Sequence, residues 1–88
     1  MIEQSLKYIT KKVQAGNLQV IYNLIFSNAL YSLECYKDGC SLQDPNNYYF
    51  VEDITEDEGE ADDFLDLLVK GKVAPVHIND IVEDYFQD

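Results

Sequence analysis

The stretch LQVIYNLIF, residues 18 to 26, decides the fold of this chain. It is rich in β-branched and aromatic side chains, and every second residue from Leu18 to Phe26 belongs to one apolar face. A hydrophobic period of two is typical of a β-strand that buries one face. We therefore predict a strand here and build the rest of the fold around it.

Two further strands are predicted after this one. Ser27-Asn28 supplies turn chemistry, and residues 30–37 then alternate between apolar and polar side chains. The turn formers of residues 44–47 precede a third apolar stretch, YYFVEDI at residues 48–54. Short connections between successive strands favour antiparallel neighbours, so the three form a β-meander.

Residues 1–14 fit two interpretations. Ile2, Leu6, Ile9 and Val13 lie on one helical stripe, whereas the β-branched residues before the turn-like residues 14–17 suit a hairpin arm. We favour a strand that pairs with residues 18–26, and a helix remains the alternative.

Two helices are predicted at the C-terminal end. Beyond Ile54 the apolar period changes to about 3.6. Thr55 with Glu58, or Asp57 with Glu60, can form a capping box, and Gly71 is the expected left-handed cap. A second amphipathic pattern follows Pro75. The expected fold class is α+β: residues 1–88 form one small domain with an antiparallel meander of three or four strands, followed by two amphipathic helices packed on one face.

The segment FLDLLVKGKVAPVHINDIVEDYF, residues 64–86, resembles the C-terminal signature of a domain-of-unknown-function family of short proteins from anaerobic Gram-positive bacteria. A Leu-rich helix, the Pro75-Val76-His77 link and an acidic closing helix carry this resemblance over about a quarter of the chain, and YNLIF at residues 22–26 is similar to that family's strand. The resemblance implies this fold and a bacterial cytoplasmic origin, and it implies no activity.

Charge is distributed unevenly along the sequence. Of the 17 Asp and Glu residues, 13 lie from residue 45 onward, where only Lys70 and Lys72 oppose them. That half carries the whole net charge of −11, and residues 1–44 sum to zero. Such asymmetry concerns partners and not fold, and it predicts binding to a basic protein surface. Direct binding to nucleic acid is disfavoured, because phosphates repel a chain of this charge.

The candidate interaction surface combines helical acids with tyrosines. The chain has seven tyrosines, more than a core of this size can bury with satisfied hydroxyls. We expect some on the outward face of the sheet, as a contact patch or a homodimer seam, although partial burial is an equal alternative. The predicted members are Asp62, Asp63, Asp66, Asp80, Glu83, Asp84, Tyr36, Tyr48 and Tyr49.

His77 is the only histidine of the sequence and lies directly before the second predicted helix. We interpret it as the N-cap of the second helix, with Asp80 reaching back to it, because no motif supplies a nucleophile or an orienting partner. The acidic run at residues 52–63 fails as a calcium loop, since a loop counted from Asp53 has Glu58 at the glycine position and Phe64 at the twelfth position. We predict no catalytic residue, no metal and no cofactor.

Cys35 and Cys40 are the only cysteines, and one pair is weak evidence for a secreted disulfide framework. If Asp38-Gly39 forms a two-residue hairpin turn, Cys35 faces Leu42, and the sulfurs of Cys35 and Cys40 lie diagonally on one face. We therefore favour two free thiols over a disulfide. The longest apolar stretches are far shorter than a membrane span, and the chain starts without a signal-peptide core. We expect a cytoplasmic protein that does not enter a membrane.

Three functions follow in order of preference. The first is a non-enzymatic protein-binding or regulatory module. The second is a nucleic-acid mimic, in which the six helical acids imitate phosphates and inhibit a DNA- or RNA-binding protein; it needs a continuous exposed stripe at about 6 to 7 Å spacing. The third is a small enzyme or metal site around His77 with Asp80 and Glu83.

Overall fold

A computed structural model describes residues 6–86 of the chain and the side chains of residues 9–86. Four strands form one antiparallel sheet in the order β1-β2-β3-β4, and two helices follow. The elements are β1 Leu6–Ala15, β2 Leu18–Ser27, β3 Leu30–Lys37, β4 Tyr48–Thr55, α1 Glu58–Gly71 and α2 Pro75–Phe86. The predicted α+β class is confirmed, and the ambiguous N-terminal segment is a strand from residue 6 onward. Residues 1–5 of that prediction lie outside the described residues.

Two tight turns make the first three strands a meander. Gly16 has φ +68° between β1 and β2, a left-handed conformation that glycine adopts without a Cβ clash. Asn28 and Ala29 have φ 55° and 65° between β2 and β3. The hairpin turn therefore lies one residue later than the predicted Ser27-Asn28, because Ser27 pairs with Leu30. Two left-handed residues give a turn whose twist matches that of the strands.

The β3–β4 connection is a ten-residue loop, and the hairpin considered at Asp38-Gly39 does not form. The Lys37 amide donates to the Asn47 carbonyl at 2.9 Å, so the loop closes only at residue 47. Within it, the Asp44 carboxylate accepts from the Asn46 amide. Consequently Cys35 lies opposite Tyr49 in β4 and not opposite Leu42.

Both helices cover the same face of the sheet. Side chains of β2 and β3 form the core with residues of α1 and α2, all of them buried: Val20, Tyr22, Leu24, Tyr31, Leu33, Cys35, Ala61, Phe64, Leu65, Leu68 and Ile78. Phe64 joins the helices, since its ring centroid lies 5.1 Å from that of Tyr85 and 4.9 Å from that of Phe86. The Tyr22 hydroxyl donates to the Val73 carbonyl at 2.6 Å, which fixes the link between the helices to the sheet.

Capping side chains define the N-terminal end of α1. Asp57 is the N-cap and accepts from the Glu60 amide at 3.2 Å, as one of the two predicted boxes requires. The Glu60 carboxylate accepts from the Thr55 hydroxyl at 2.6 Å, and Thr55 Oγ1 also accepts from the Asp57 amide. Thr55 thus replaces the reciprocal bond of the predicted box, in which the Glu60 carboxylate would accept from the Asp57 amide.

The C-terminal cap of α1 is one residue later than predicted. Lys72, not Gly71, has the left-handed conformation, with φ 49° and ψ 46°. The Lys72 and Val73 amides donate to the Val69 and Leu68 carbonyls at 3.1 Å each, which is the Schellman arrangement. A Cβ on Gly71 would lie 3.2 Å from the Val73 side chain, so Gly71 gives this turn room and not its left-handed conformation.

Candidate interaction surfaces

The predicted acidic residues all lie on the two helices. Asp63 and Asp66 are exposed on α1, and Asp80, Glu83 and Asp84 are exposed on α2. The buried stripe of α1, which runs through Ala61, Phe64, Leu65 and Leu68, faces the sheet. Helical geometry therefore turns Asp63 and Asp66 away from the sheet. We call these five residues the acidic helix surface.

Asp62 differs from the other five acids. It is half-buried, and its Oδ1 atom is buried without a hydrogen-bond partner in the described part of the chain. A carboxylate in that position is less accessible to a partner than its neighbours. The continuous exposed stripe that nucleic-acid mimicry requires is therefore incomplete at Asp62.

His77 lies exposed in the first turn of α2 and not at its N-cap. The helix begins at Pro75, whose fixed φ suits the first helical position and whose missing amide hydrogen costs nothing there. The His77 amide already bonds to the Ala74 carbonyl at 3.0 Å, so His77 is inside the helix. The structure therefore differs from the predicted cap by His77 and Asp80, because the helix starts two residues earlier, at Pro75.

The three predicted tyrosines lie on two different faces of the sheet. Tyr36 pairs with Tyr48 across β3 and β4, and both are half-buried on the side away from the helices. Tyr49 pairs with the core residue Cys35, and its hydroxyl donates to Asn79 Oδ1 of α2 at 3.1 Å. Successive residues of a strand point to opposite faces, so Tyr48 and Tyr49 cannot share one patch. Tyr49 therefore does not belong to the predicted tyrosine patch.

The sheet face away from the helices is called the open face here. It is built by cross-strand rows whose members share one side of the sheet: Lys12, Ile21, Tyr36 and Tyr48 in one row, and Thr10, Asn23, Glu34 and Phe50 in the next. Phe50 is 43% exposed, whereas Ile21 and Asn23 are buried beneath their neighbours. This face is thus partly apolar at its surface.

A chain of hydrogen bonds crosses all four strands on the open face. The Thr10 hydroxyl donates to Asn23 Oδ1 at 2.7 Å, and Asn23 Nδ2 donates to Glu34 Oε1 at 2.8 Å. The Tyr48 hydroxyl donates to Glu34 Oε2 at 3.0 Å. Burial is the largest effect that raises the pKa of the Tyr48 hydroxyl. The hydrogen bond to Glu34 and the negative charge of Glu34 raise it further. Sequence reasoning missed this chain, although one signal was present: Asn23 interrupts the apolar stretch LQVIYNLIF.

The basic residues lie at the opposite edge of the sheet from the acids of β4. Residues 6–15 contain Lys7, Lys11 and Lys12 and no acid, and they form the edge strand β1. The other edge strand, β4, contains Glu52 and Asp53 and leads into the acidic start of α1. The molecule is therefore positive at the β1 edge and negative along β4 and the helices.

Neither cysteine is in a disulfide. Cys35 is completely buried in the core, and burial, with a smaller effect of the Glu34 charge, raises the pKa of its thiol to about 12. A thiol with a raised pKa stays protonated at neutral pH and is a poor nucleophile. Cys35 is therefore a packing residue. Among residues 6–86, no group of three or more His, Cys, Asp or Glu side chains could hold a metal ion.

Comparison with known proteins gives a family for this chain. The model of a family of unknown function, DUF6514, matches residues 3–88. The chain belongs to the DUF6514 family. The sequence resemblance to a domain-of-unknown-function family is thereby supported at this level, over nearly the whole chain and not only its C-terminal quarter. Neither the curated proteins nor the solved structures contain a match to this DUF6514 protein. Neither described helix has the length and apolar character needed to cross a membrane.

Proposed function

We propose that this DUF6514 protein is a non-enzymatic protein-binding or regulatory module of the bacterial cytoplasm, and that its acidic helix surface binds a basic protein surface. The observation that carries the proposal is the exposure of Asp63, Asp66, Asp80, Glu83 and Asp84 on the outer side of the helical layer. Two unbridged cysteines agree with a reducing compartment.

The charge arrangement supports a steered association. Like charges gathered on one layer create a negative potential that attracts a positive patch from a distance. Because these acids are exposed, most of their effect is on the rate of association and on partner choice, and each pair contributes little to affinity. A set of several charges can still select a basic partner over a neutral one.

The experiment compares two variants of equal net charge. The helix variant carries Asp63→Asn, Asp66→Asn and Asp80→Asn, and the control variant carries Asp38→Asn, Asp44→Asn and Glu56→Gln at exposed positions outside the helices. Each set changes the net charge from −11 to −8, because three acids are neutralised. Tagged forms of both variants and of the wild type would be purified from cells of the source organism, and the retained proteins identified.

We expect the control to keep the wild-type partner and the helix variant to lose it. The isolated complex should also weaken as salt rises from about 0.1 M to about 1 M, which shortens the Debye length from about 10 Å to about 3 Å. Equal retention by both variants, or an affinity independent of salt, would refute the role of the acidic helix surface. A bait that retains no protein above background would refute the binding function itself.

A further inference from the structure

The two helices lie side by side and leave a groove between them on the outer side of the helical layer. Phe64 of α1 contacts the rings of Tyr85 and Phe86 near the end of α2, and only residues 72–74 link the two helices. The helices therefore run antiparallel. The rings hold the two backbones apart, since Cα atoms of α1 and α2 hardly approach within 8 Å of each other.

Apolar side chains line this groove. Leu67 lies one turn from Phe64, on the flank of α1 that faces α2, and 45% of its surface is exposed. Ile81 and Tyr85 lie one turn apart on the flank of α2 that faces α1. Ile81 is half-buried and Tyr85 is 38% exposed, whereas Phe64 is fully buried beneath them. We call Leu67, Ile81 and Tyr85 the helix groove.

Acidic residues flank the helix groove on both sides. Asp63 and Asp66 are exposed on α1, and Asp80 and Asp84 are exposed on α2. All four belong to the acidic helix surface, and Lys70 is the basic residue that opposes them on α1. A partner that fits here must therefore be apolar where it enters the groove and basic on both sides of that contact.

The shape of the helix groove suits a helix. The 14 residues of α1 span about 21 Å at 1.5 Å per residue, so the groove can be that long. A third helix packs along such a groove through apolar residues at every third or fourth position. An extended strand would need an unpaired backbone edge, which a helix does not offer. A second copy of this chain does not fit, because its helices carry the same acids and two chains of net charge −11 repel each other.

We propose that the helix groove binds a basic amphipathic helix of a partner protein. The apolar stripe of that helix packs on Leu67, Ile81 and Tyr85, and its flanking lysines and arginines face the acids of both helices. This inference rests on the proposed function, because it names the kind of partner that the acidic helix surface binds. Apolar contact supplies most of the affinity, and the exposed charges supply the choice of a basic helix.

Two synthetic peptides test the proposal on the purified full chain. Each has about 14 residues, enough to span α1, and consists of leucine and lysine with a fluorescent label. The amphipathic peptide places its leucines at every third or fourth position, and the scrambled peptide has the same composition without an apolar stripe. Fluorescence anisotropy measures both affinities. We expect the amphipathic peptide to bind at least about tenfold more tightly, because only its leucines can enter the groove together.

Two variants without a change of charge locate the binding site. Leu67→Gln should weaken binding of the amphipathic peptide about tenfold, because a leucine contact is lost. Val76→Gln is the matched control: Val76 is 47% exposed on α2 and lies about 140° around the helix from Ile81, away from the groove. It should keep the wild-type affinity within about twofold, as substitutions outside a contact do. Circular dichroism would verify that both variants fold.

The results distinguish the helix groove from the acidic helix surface. Equal affinity for both peptides, together with loss of both by the helix variant, would overturn the groove and leave the acidic helix surface as a binding site for basic chains. Unchanged binding by Leu67→Gln, an equal loss by Val76→Gln, or binding of neither peptide would also overturn the groove. The purification of partners tests the proposed function independently, since it uses no peptide.

Discussion

Asn23→Asp tests the hydrogen-bond chain of the open face with almost no change of shape. The substitution replaces the Nδ2 group, which donates to Glu34 Oε1 at 2.8 Å, with a carboxylate oxygen. Two ionised carboxylates at that distance repel each other by about 6 kcal/mol at an effective dielectric constant of about 20. Keeping one proton on the pair near pH 7 costs about 4 kcal/mol, since the ordinary carboxyl pKa is about 4. Because holding one proton costs less free energy than the repulsion between two ionised carboxylates, the pair holds one proton near pH 7.

The variant should therefore lose about 4 kcal/mol of unfolding free energy near pH 7 relative to the wild type, and only about 1.4 kcal/mol near pH 5. The sign follows from the raised pKa of the pair: the folded variant holds a proton that the unfolded chain releases, so the deficit grows as pH rises above about 4. Urea unfolding of both proteins at several pH values measures the difference. The series should remain above the isoelectric point of about 4.1, where loss of net charge promotes precipitation.

Asn17→Asp is the control, since Asn17 is exposed in the β1–β2 turn. It should change stability by no more than about 0.5 kcal/mol at any pH, as most surface substitutions do. A deficit for Asn23→Asp that does not vary with pH would mean that packing, and not charge, causes it. A deficit below about 1 kcal/mol near pH 7 would contradict the Asn23–Glu34 contact.

Three further substitutions or conditions test other parts of the fold. Lys72→Gly should raise the unfolding free energy by about 1 kcal/mol in urea titration, because glycine adopts the left-handed conformation without the clash of a Cβ, whereas Lys70→Gly inside α1 should lower it by about as much. Tyr22→Phe should lower it by about 1 kcal/mol through loss of the bond to the Val73 carbonyl, and the exposed Tyr85→Phe should have a smaller effect; equal effects would contradict that bond. Stability should also fall as pH rises above 9.0, the ordinary pKa of a thiol, because the folded chain holds the Cys35 proton up to about pH 12 whereas the unfolded chain releases it. Burial raises the pKa of Tyr22 above 10.0 as well, so Cys35→Ala should delay the decline to about pH 10 and not abolish it; a wild-type unfolding free energy that is constant between pH 8 and pH 11 would refute this reasoning.

The sequence predicted those elements whose periodicity extends over many residues. The alternation of residues 18–26 and 30–37 and the helical stripe through Phe64, Leu65 and Leu68 correspond to β2, β3 and α1. Each pattern reports which side of an element is apolar, and burial of that side is what stabilises the element. Residues 1–14 were ambiguous because their apolar residues fit a helical stripe whereas their β-branched residues suit a strand, and pairing with β2 decides for a strand in the described residues 6–15.

The details that sequence reasoning missed depend on single backbone positions or on contacts between strands. The left-handed residue after α1 is Lys72 although Gly71 is adjacent, because the helix continues through Gly71 and the amides of Lys72 and Val73 bond back to the Val69 and Leu68 carbonyls. The loop at residues 38–47 replaced the shorter hairpin because β4 pairs from Tyr48 onward. The hydrogen-bond chain through Asn23 depends on registers between four strands, which no local pattern contains.

The irregular edges of the sheet have a consequence for how the protein behaves when concentrated. The β1–β2 register shifts between Lys7 and Ile9, and the β3–β4 register shifts beyond Leu33, where Asp53 has φ 56°. Bulges of this kind bend the two edge strands, β1 and β4. The lysines of β1 also place positive charge along its exposed backbone edge, which disfavours pairing with a strand of another molecule. Strands of neighbouring molecules therefore cannot extend the sheet indefinitely, and the chain is protected against fibril growth in spite of its many β-forming residues.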